Sequence, residues 1–347
     1  MLEEQLNKIN DLGFKFKTSK DDKEKDNIEN DVKNIINDLK KNAIEKFQSE
    51  SDVKKFLDNI VHFNNYSFNN QVLIFLQKPD ANYVSAFRTF TKLGYKINKG
   101  AKGIKIFIPN FYNIAKIKQE DGSFIYKPFF LLNQDERKIY NDKDDDSITF
   151  HKQKLAGFSL GNVFDASDTT MPLETINEEL NPVLNNKSAD EIMDCFIKTI
   201  YNDGFKVTFK DLDGTIKGYC DHANNEIVIK KGLGNIIQLK VLIHEYAHAL
   251  AHKHLENNNK EYQEHRNKYE TEAESISYVV SNFIGLEPDT SSLSYLYVYS
   301  KEKDFKEIDD SFNTIVNYSK RIINNFNKFY DRKFDLYSEE LSTIAIW

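Results

Sequence analysis

The sequence predicts an α+β fold: a small mixed helix and sheet domain, followed by a second domain dominated by helices. Two observations carry this expectation. Strand-like runs (NYVSAF, YKINKG, GIKIFIP and FIYKPFFLLN) cluster between residues 82 and 133. Beyond Asp190 the pattern changes to an amphipathic helix, two short strands and then long helical stretches. The length of 347 residues suits two domains, and 40% hydrophobic with 13% aromatic residues supplies enough apolar surface for a sizeable core.

Residues 1–50 are highly charged, with Ile28, Val32, Ile35, Ile36 and Leu39 at helical spacing, and are expected to form an appended helical arm. DVKKFLDNIVHFNNYSFNNQVLIFLQK, at 52–78, has the pattern of two short helices parted by NNYSFNN. The strands follow, with KGAKG at 99–103 as a glycine turn carrying lysines at its tip. NDKDDDS lacks the glycine and terminal glutamate of a calcium loop and is expected to be a solvated acidic loop. GNVFDASDTT is a strand ending in a polar turn. With Pro172 and Pro182, residues 171–189 make a natural linker between a domain at 51–170 and one at 190–330, leaving 331–347 as a tail.

In the second domain, ADEIMDCFIKTIYNDG is a helix stopped at Gly204, and FKVTF and EIVIKK are strands. EIVIKK, preceding the next helix, is expected to offer its edge to an extended peptide. YLYVY, at 295–299, is strand-like, and a final helix is expected over residues 305–329.

Two cysteines without a CxxC pair, no signal peptide and no apolar run near the ~20 residues of a membrane span point to a cytoplasmic protein in a reducing compartment, with no membrane partner.

The chemistry-bearing motif is HEYAH at 244–248, within an apolar run free of glycine and proline from Ile236 to Leu255. A four-residue spacing puts His244 and His248 on one helix face, where both imidazoles reach one tetrahedral metal, Zn2+ being the natural occupant. Glu245 is placed to act as general base on a water at that metal. A third ligand is needed. His254 has the spacing of HExxHxxGxxH, but Ala251 stands at the glycine position and no methionine follows Met193. The alternative is a carboxylate from the helix KYETEAESISYVVSNFIGL, which offers Glu270, Glu272 and Glu274; helical phase leaves the three open. Glu270, Ala273 and Glu274, as E-x-x-A-E, resemble the ligand helix of gluzincins (zincin-like metallopeptidases). That resemblance implies Glu270 as ligand, a close helix approach at Ala273, and Glu274 as the acid that accepts a proton from a ligand histidine. His252 is expected near the site without ligating, and His254 exposed at the helix end.

The net charge of −7 excludes a generic nucleic-acid binder, but the charge is uneven. Between Lys78 and Lys118 stand nine basic residues and one acid, Asp80, giving 9 − 1 = +8 and leaving −15 for the remainder. Arg88, Lys92, Lys96, Lys99 and Lys102 interleave with Phe87, Phe90 and Tyr95, a composition suited to single strands, whose bases stack on rings while cations meet the backbone.

The run YSFNNQVLIFLQKPDANYVSAFRTFTKLGYKINKGAKGIKIFIP resembles the N-terminal domain of ArdC-type and LtrC-type antirestriction proteins of mobile elements. Tyr66, Ser67, Asn70, Gln77, Leu93, Gly94, Lys99, Gly100, Lys102, Gly103 and Pro109 fit that pattern. Phe90 stands where the family commonly has tryptophan, and VFDAS resembles the closing strand. The resemblance implies a single-stranded-DNA-binding domain, with Tyr66, Ser67, Asn70 and Phe90 beside the cations, joined to a zinc metallopeptidase-like domain with a protein substrate, in a conjugation-associated antirestriction protein. Two other functions remain open: a non-proteolytic DNA-binding protein with structural zinc, and a protein-only regulatory peptidase resembling the ImmA/IrrE type.

Overall fold

In the computed structural model, residues 2–330 are described except 20, 143–144, 173, 176–187, 256–257 and 290. The expected tail at 331–347, most of the expected linker and part of NDKDDDS lie outside the described residues. The elements are helical and stranded in turn, an α+β protein as the patterning predicts. Among the described residues, no helix is long and apolar enough to cross a membrane.

The described residues divide into two compact units: those of 2–37 with 105–161, and those of 38–104 with 162–330. This division differs from the boundaries expected from sequence.

In the first unit, α1 (Leu2–Thr18) buries Leu6, Ile9 and Leu12, and the start of α2 (Asp22–Glu45) buries Ile28, Val32 and Ile35. The unit's strands run in the order β4-β2-β3, from β4 (Ile148–Asp165), β2 (Ile104–Lys118) and β3 (Phe124–Pro128). β2 and β3 form an antiparallel hairpin in which Lys118 faces Phe124 and Lys116 faces Tyr126. Its turn closes through Gly122, whose φ of +81° lies in the left-handed region open to glycine. Ala115, Ile117, Leu132 and Ile148 make a small core beneath the sheet.

The second unit gathers α3 (Glu50–His62), α4 (Phe68–Gln77), β1 (Val84–Ala86), α5 (Phe87–Lys92) and everything after Asn162. β1 pairs with Val163–Asp165 at the end of β4. NYVSAF, expected as one strand, is stranded only over Val84–Ala86, and Phe87 opens the helix α5; YKINKG makes only one bridge, Ile97 to Thr169. The helix seals Phe90 against Tyr83, Ala166 and Met171, a packing gain that outweighs strand propensity.

Next come α7 (Ala189–Asn202), the strands β5 (Lys206–Lys210), β6 (Gly218–Asp221) and β7 (Glu226–Lys230), then α8 (Asn235–Ala251), α9 (Asn259–Glu264), α10 (Arg266–Phe283), α11 (Ser291–Glu302) and α12 (Phe305–Asn327). The sheet order is β5-β7-β6, with β5 parallel and β6 antiparallel to β7. This corrects the expectation for EIVIKK. β7 is the central strand, with Ile227, Val228 and Ile229 all buried, and the edge beside α8 belongs to β6. GYCD carries too few β-branched residues to announce itself as a strand. YLYVY is likewise helical, in α11; Leu293, Leu296, Tyr299 and Ser300 share its buried face at helical spacing.

The residues expected to open a separate DNA-binding domain are built into this unit. Asp58 of α3 accepts hydrogen bonds from Tyr278 and Asn282 of α10, both at 3.0 Å. Phe312 of α12 packs on Phe47, Phe56 and Phe68, with centroid separations of 6.0, 5.1 and 6.2 Å. The apolar faces of α3 and α4 need more cover than one short strand provides, and α12 supplies it. Phe312→Ala is therefore expected to cost about 3–5 kcal/mol, read as a lowered urea midpoint with an unchanged slope.

Candidate metal centre

α8 starts at Gly234 and buries Leu239, Leu242, Ile243, Tyr246 and Ala247, so its apolar face fixes its rotation. Gly218 of β6 lets it come close. A Cβ there would stand 2.6 Å from Val241 Cγ1, 2.9 Å from the Val228 carbonyl oxygen and 3.3 Å from Glu245 Cγ. Glu245 is thereby set against β6, where it accepts from the Cys220 backbone N–H; burial pushes its carboxyl up to about 7.

His244 and His248 turn their Nε2 atoms towards one another at 3.2 Å. Glu270 of α10 brings Oε2 to 3.7 Å from the first and 3.5 Å from the second. Its other oxygen accepts a 2.8 Å hydrogen bond from the Tyr262 hydroxyl of α9. The hydrogen bonds from His244 and His248 hold the Glu270 carboxyl far below the usual carboxylate range, while burial pushes the His248 imidazole down to about 4. A charged carboxylate facing the neutral His248 imidazole is the protonation state that metal binding requires, whereas at His244 the effect of burial is outweighed by the Glu270 hydrogen bond and the Glu245 charge, which push its imidazole up.

These three residues can hold a metal ion, their donor atoms lying within 4.8 Å of one another. Ligand bonds near 2.1 Å in a tetrahedron place donors about 3.4 Å apart. The observed edges of 3.2, 3.7 and 3.5 Å match that figure without rearrangement. Of the candidates, Glu270 is the one brought to the histidine pair, and His254 is exposed.

The support behind His248 differs from expectation. Glu274 does not receive a proton from a ligand histidine: its Oε2 is buried and has no hydrogen-bond partner among the described residues. The partner is His252, with Nδ1 2.9 Å from His248 Nδ1 and Nε2 3.1 Å from Glu272 Oε2. Glu272 also accepts from Ser311 of α12 at 2.7 Å. With Nε2 of His248 given to a metal, its Nδ1–H donates to His252, whose Nε2–H donates to Glu272. The fourfold histidine spacing runs on from 248 to 252, which was the available signal for this relay; Tyr262 and Ser311 gave none. Glu272→Ala is expected to weaken metal affinity about 10- to 100-fold, measured by chelator competition.

A cavity of about 450 Å³ opens beside His244 and Glu245, with Lys217, Lys240, Glu274 and Tyr278 in its walls.

The residues expected at a DNA surface fall into two sets. Arg88, Lys92, Lys96, Lys99 and Lys102 are exposed, on α5 and the segment after it. Tyr66, Asn70 and Phe90 are buried, and this corrects their assignment as contacts. Tyr66 hydrogen-bonds the Val84 carbonyl at 3.2 Å, and Phe90 is fully enclosed. Ser67 caps α4. These residues shape the support of the surface, since burying the Tyr66 and Phe90 rings removes their apolar area from water. Lys78 is tied to Asp168 at 2.6 Å. The basic window itself is divided, with 78–104 in the second unit and 105–118 in the first.

Residues 25–164 match the model of the N-terminal domain of the anti-restriction factor ArdC. This segment, about two fifths of the chain, is what the chain shares with that domain. An uncharacterized protein of Bacillus anthracis, pXO2-81, is 26% identical over 321 residues, covering 88% of this chain and 53% of its own. The chain thus spans about half the length of that relative. Among solved structures, metal-free antirestriction ArdC from plasmid R388 is similar at a TM-score of 0.41 with 14% identity, over 77% of this chain and 87% of that one. Its Mn(II)-bound form gives 0.41 and 17%, over 76% and 86%.

Proposed function

We propose that this chain is an ArdC-type antirestriction protein that binds single-stranded DNA and carries a zinc metallopeptidase-like site at His244, His248 and Glu270. The observation that supports it best is the convergence of three metal donors beside Glu245, in a chain whose other part matches the ArdC N-terminal domain. The exposed Arg88, Lys92, Lys96, Lys99 and Lys102 support the DNA half. The protein acts in the cytoplasm on incoming single strands, as in conjugation.

A divalent ion bound there supplies Lewis acidity to a scissile carbonyl and acidifies water. The chain's own residues do the rest. Glu245, buried and fixed by the Cys220 N–H, takes the proton of the attacking water and delivers it to the leaving amine. Tyr262 holds Glu270 in place, and the His252–Glu272 pair fixes the His248 tautomer. An extended peptide meets Glu245 along β6, the edge strand beside α8.

The DNA half is tested by fluorescence anisotropy with a labelled single strand and a duplex of equal length over a salt series. Single-strand binding is expected to be tighter and to weaken as salt rises. Lys99→Glu with Lys102→Glu is expected to weaken it and flatten the salt slope by about one per charge removed. Indifference to the single strand, or an unchanged slope in the variant, overturns the DNA reading.

A further inference from the structure

The β2–β3 hairpin of the first unit exposes two aromatic side chains on one strand, a surface that the residue pattern did not single out for binding. Phe124 is 45% and Tyr126 55% exposed. Soluble surfaces rarely leave such rings in a cluster unless something covers them. The register defines what surrounds them. Lys118 stands directly opposite Phe124, and Lys116 opposite Tyr126, so the two rings and two lysines share one sheet face. The Lys116 ammonium lies 3.7 Å from the Phe124 ring centroid, and the His151 ring of β4 lies 4.5 Å from that of Tyr126. Neither lysine forms an ion pair among the described residues. The opposite face buries Ala115 and Ile117 in the small core, so the orientation of the cation-bearing face is fixed.

We propose that this face, built from Lys116, Lys118, Phe124, Tyr126 and His151, is a base-stacking platform for single-stranded nucleic acid. The inference rests on the single-strand binding proposed above and adds a second contact region in a different compact unit. The chemistry selects the partner. A protein partner would be met by apolar rings within a neutral surround; here each ring has a lysine across the strand pair. Stacked bases with a phosphate backbone need that alternation of flat π-surface and cation. The Lys116 ammonium marks an open ring face; a base takes its place over Phe124 while the ammonium moves to the adjoining phosphate. Phe124 and Tyr126 stand two residues apart on β3, about 7 Å along the strand, which puts both rings within reach of successive bases of an extended strand.

The test uses the full chain and two labelled oligonucleotides of equal length, one oligothymidine and one abasic, followed by anisotropy at fixed salt. Phe124→Ala with Tyr126→Ala is expected to weaken oligothymidine binding about 10-fold or more, with the abasic strand bound as before. Phe124→Trp with Tyr126→Trp is expected to keep or tighten it. Unchanged oligothymidine affinity in the alanine variant overturns the platform while leaving single-strand binding intact. Equal loss on both strands also overturns it, because the rings then serve structure and not stacking. Conversion of a wild-type dimer to a monomer by the alanine variant, seen by light scattering, assigns the face to a second copy instead. Wild type that binds neither strand removes the proposed DNA-binding function itself.

Discussion

His248→Ala is expected to lose divalent metal about a hundred- to a thousand-fold relative to wild type. Structural zinc sites, with four ligands, bind with apparent free energies of about 10–16 kcal/mol, so an even share per ligand is about 2.5–4 kcal/mol. His248 contributes more than one nitrogen, because it is also the residue through which His252 and Glu272 act. Its removal leaves His244 and Glu270 3.7 Å apart with two donors, too few to compete with water. Competition with a chromophoric chelator measures the loss. The fold is expected to survive, since α8 is held by Leu239, Leu242, Ile243, Tyr246 and Ala247 and not by the histidine. Metal affinity within a few-fold of wild type would place the ion elsewhere.

Glu245→Gln has the second large effect, and the opposite signature. Metal affinity is expected to stay at the wild-type level, because Glu245 is not among the donors that converge. The glutamine oxygen can still accept from the Cys220 N–H, so the side chain keeps its position against β6. Peptide hydrolysis, followed by mass spectrometry on a mixed peptide library, is expected to fall about 10²- to 10⁴-fold, the loss of a general base. The same substitution separates catalysis from a structural metal. Undiminished antirestriction activity in the variant would mean that this activity does not depend on hydrolysis.

The parts legible from sequence were those written in a local period. HEYAH lies on one helix and its spacing alone sets His244 beside His248. The apolar stripe of α10 and the stop at Gly285 (φ +81°) are local as well. The selection of Glu270 depended on resemblance, since phase along α10 does not distinguish it from Glu272 or Glu274; only the packing of α10 on α8 does. The relay through His252 runs to Glu272 of α10 and Ser311 of α12, across 59 positions from His252 to Ser311, a separation no local pattern encodes. β7 looks like the edge in the sequence because β6 is four residues long and carries glycine and cysteine. α11 resembles a strand because tyrosine and valine favour strands, while the burial that selects a helix comes from outside the segment. Tyr66, Asn70 and Phe90 resemble contacts because motif membership does not distinguish a residue that touches a ligand from one that supports the surface.

One divalent ion held between α8 and α10 by His244, His248 and Glu270 underlies the chemistry proposed for this site. Anomalous diffraction at the metal absorption edge, on crystals of the protein purified without chelator and soaked in zinc, tests it most directly. A single strong peak is expected about 2 Å from both Nε2 atoms and from a Glu270 oxygen. A peak coordinated by other residues, or none at this position in crystals that retain zinc elsewhere, would contradict it.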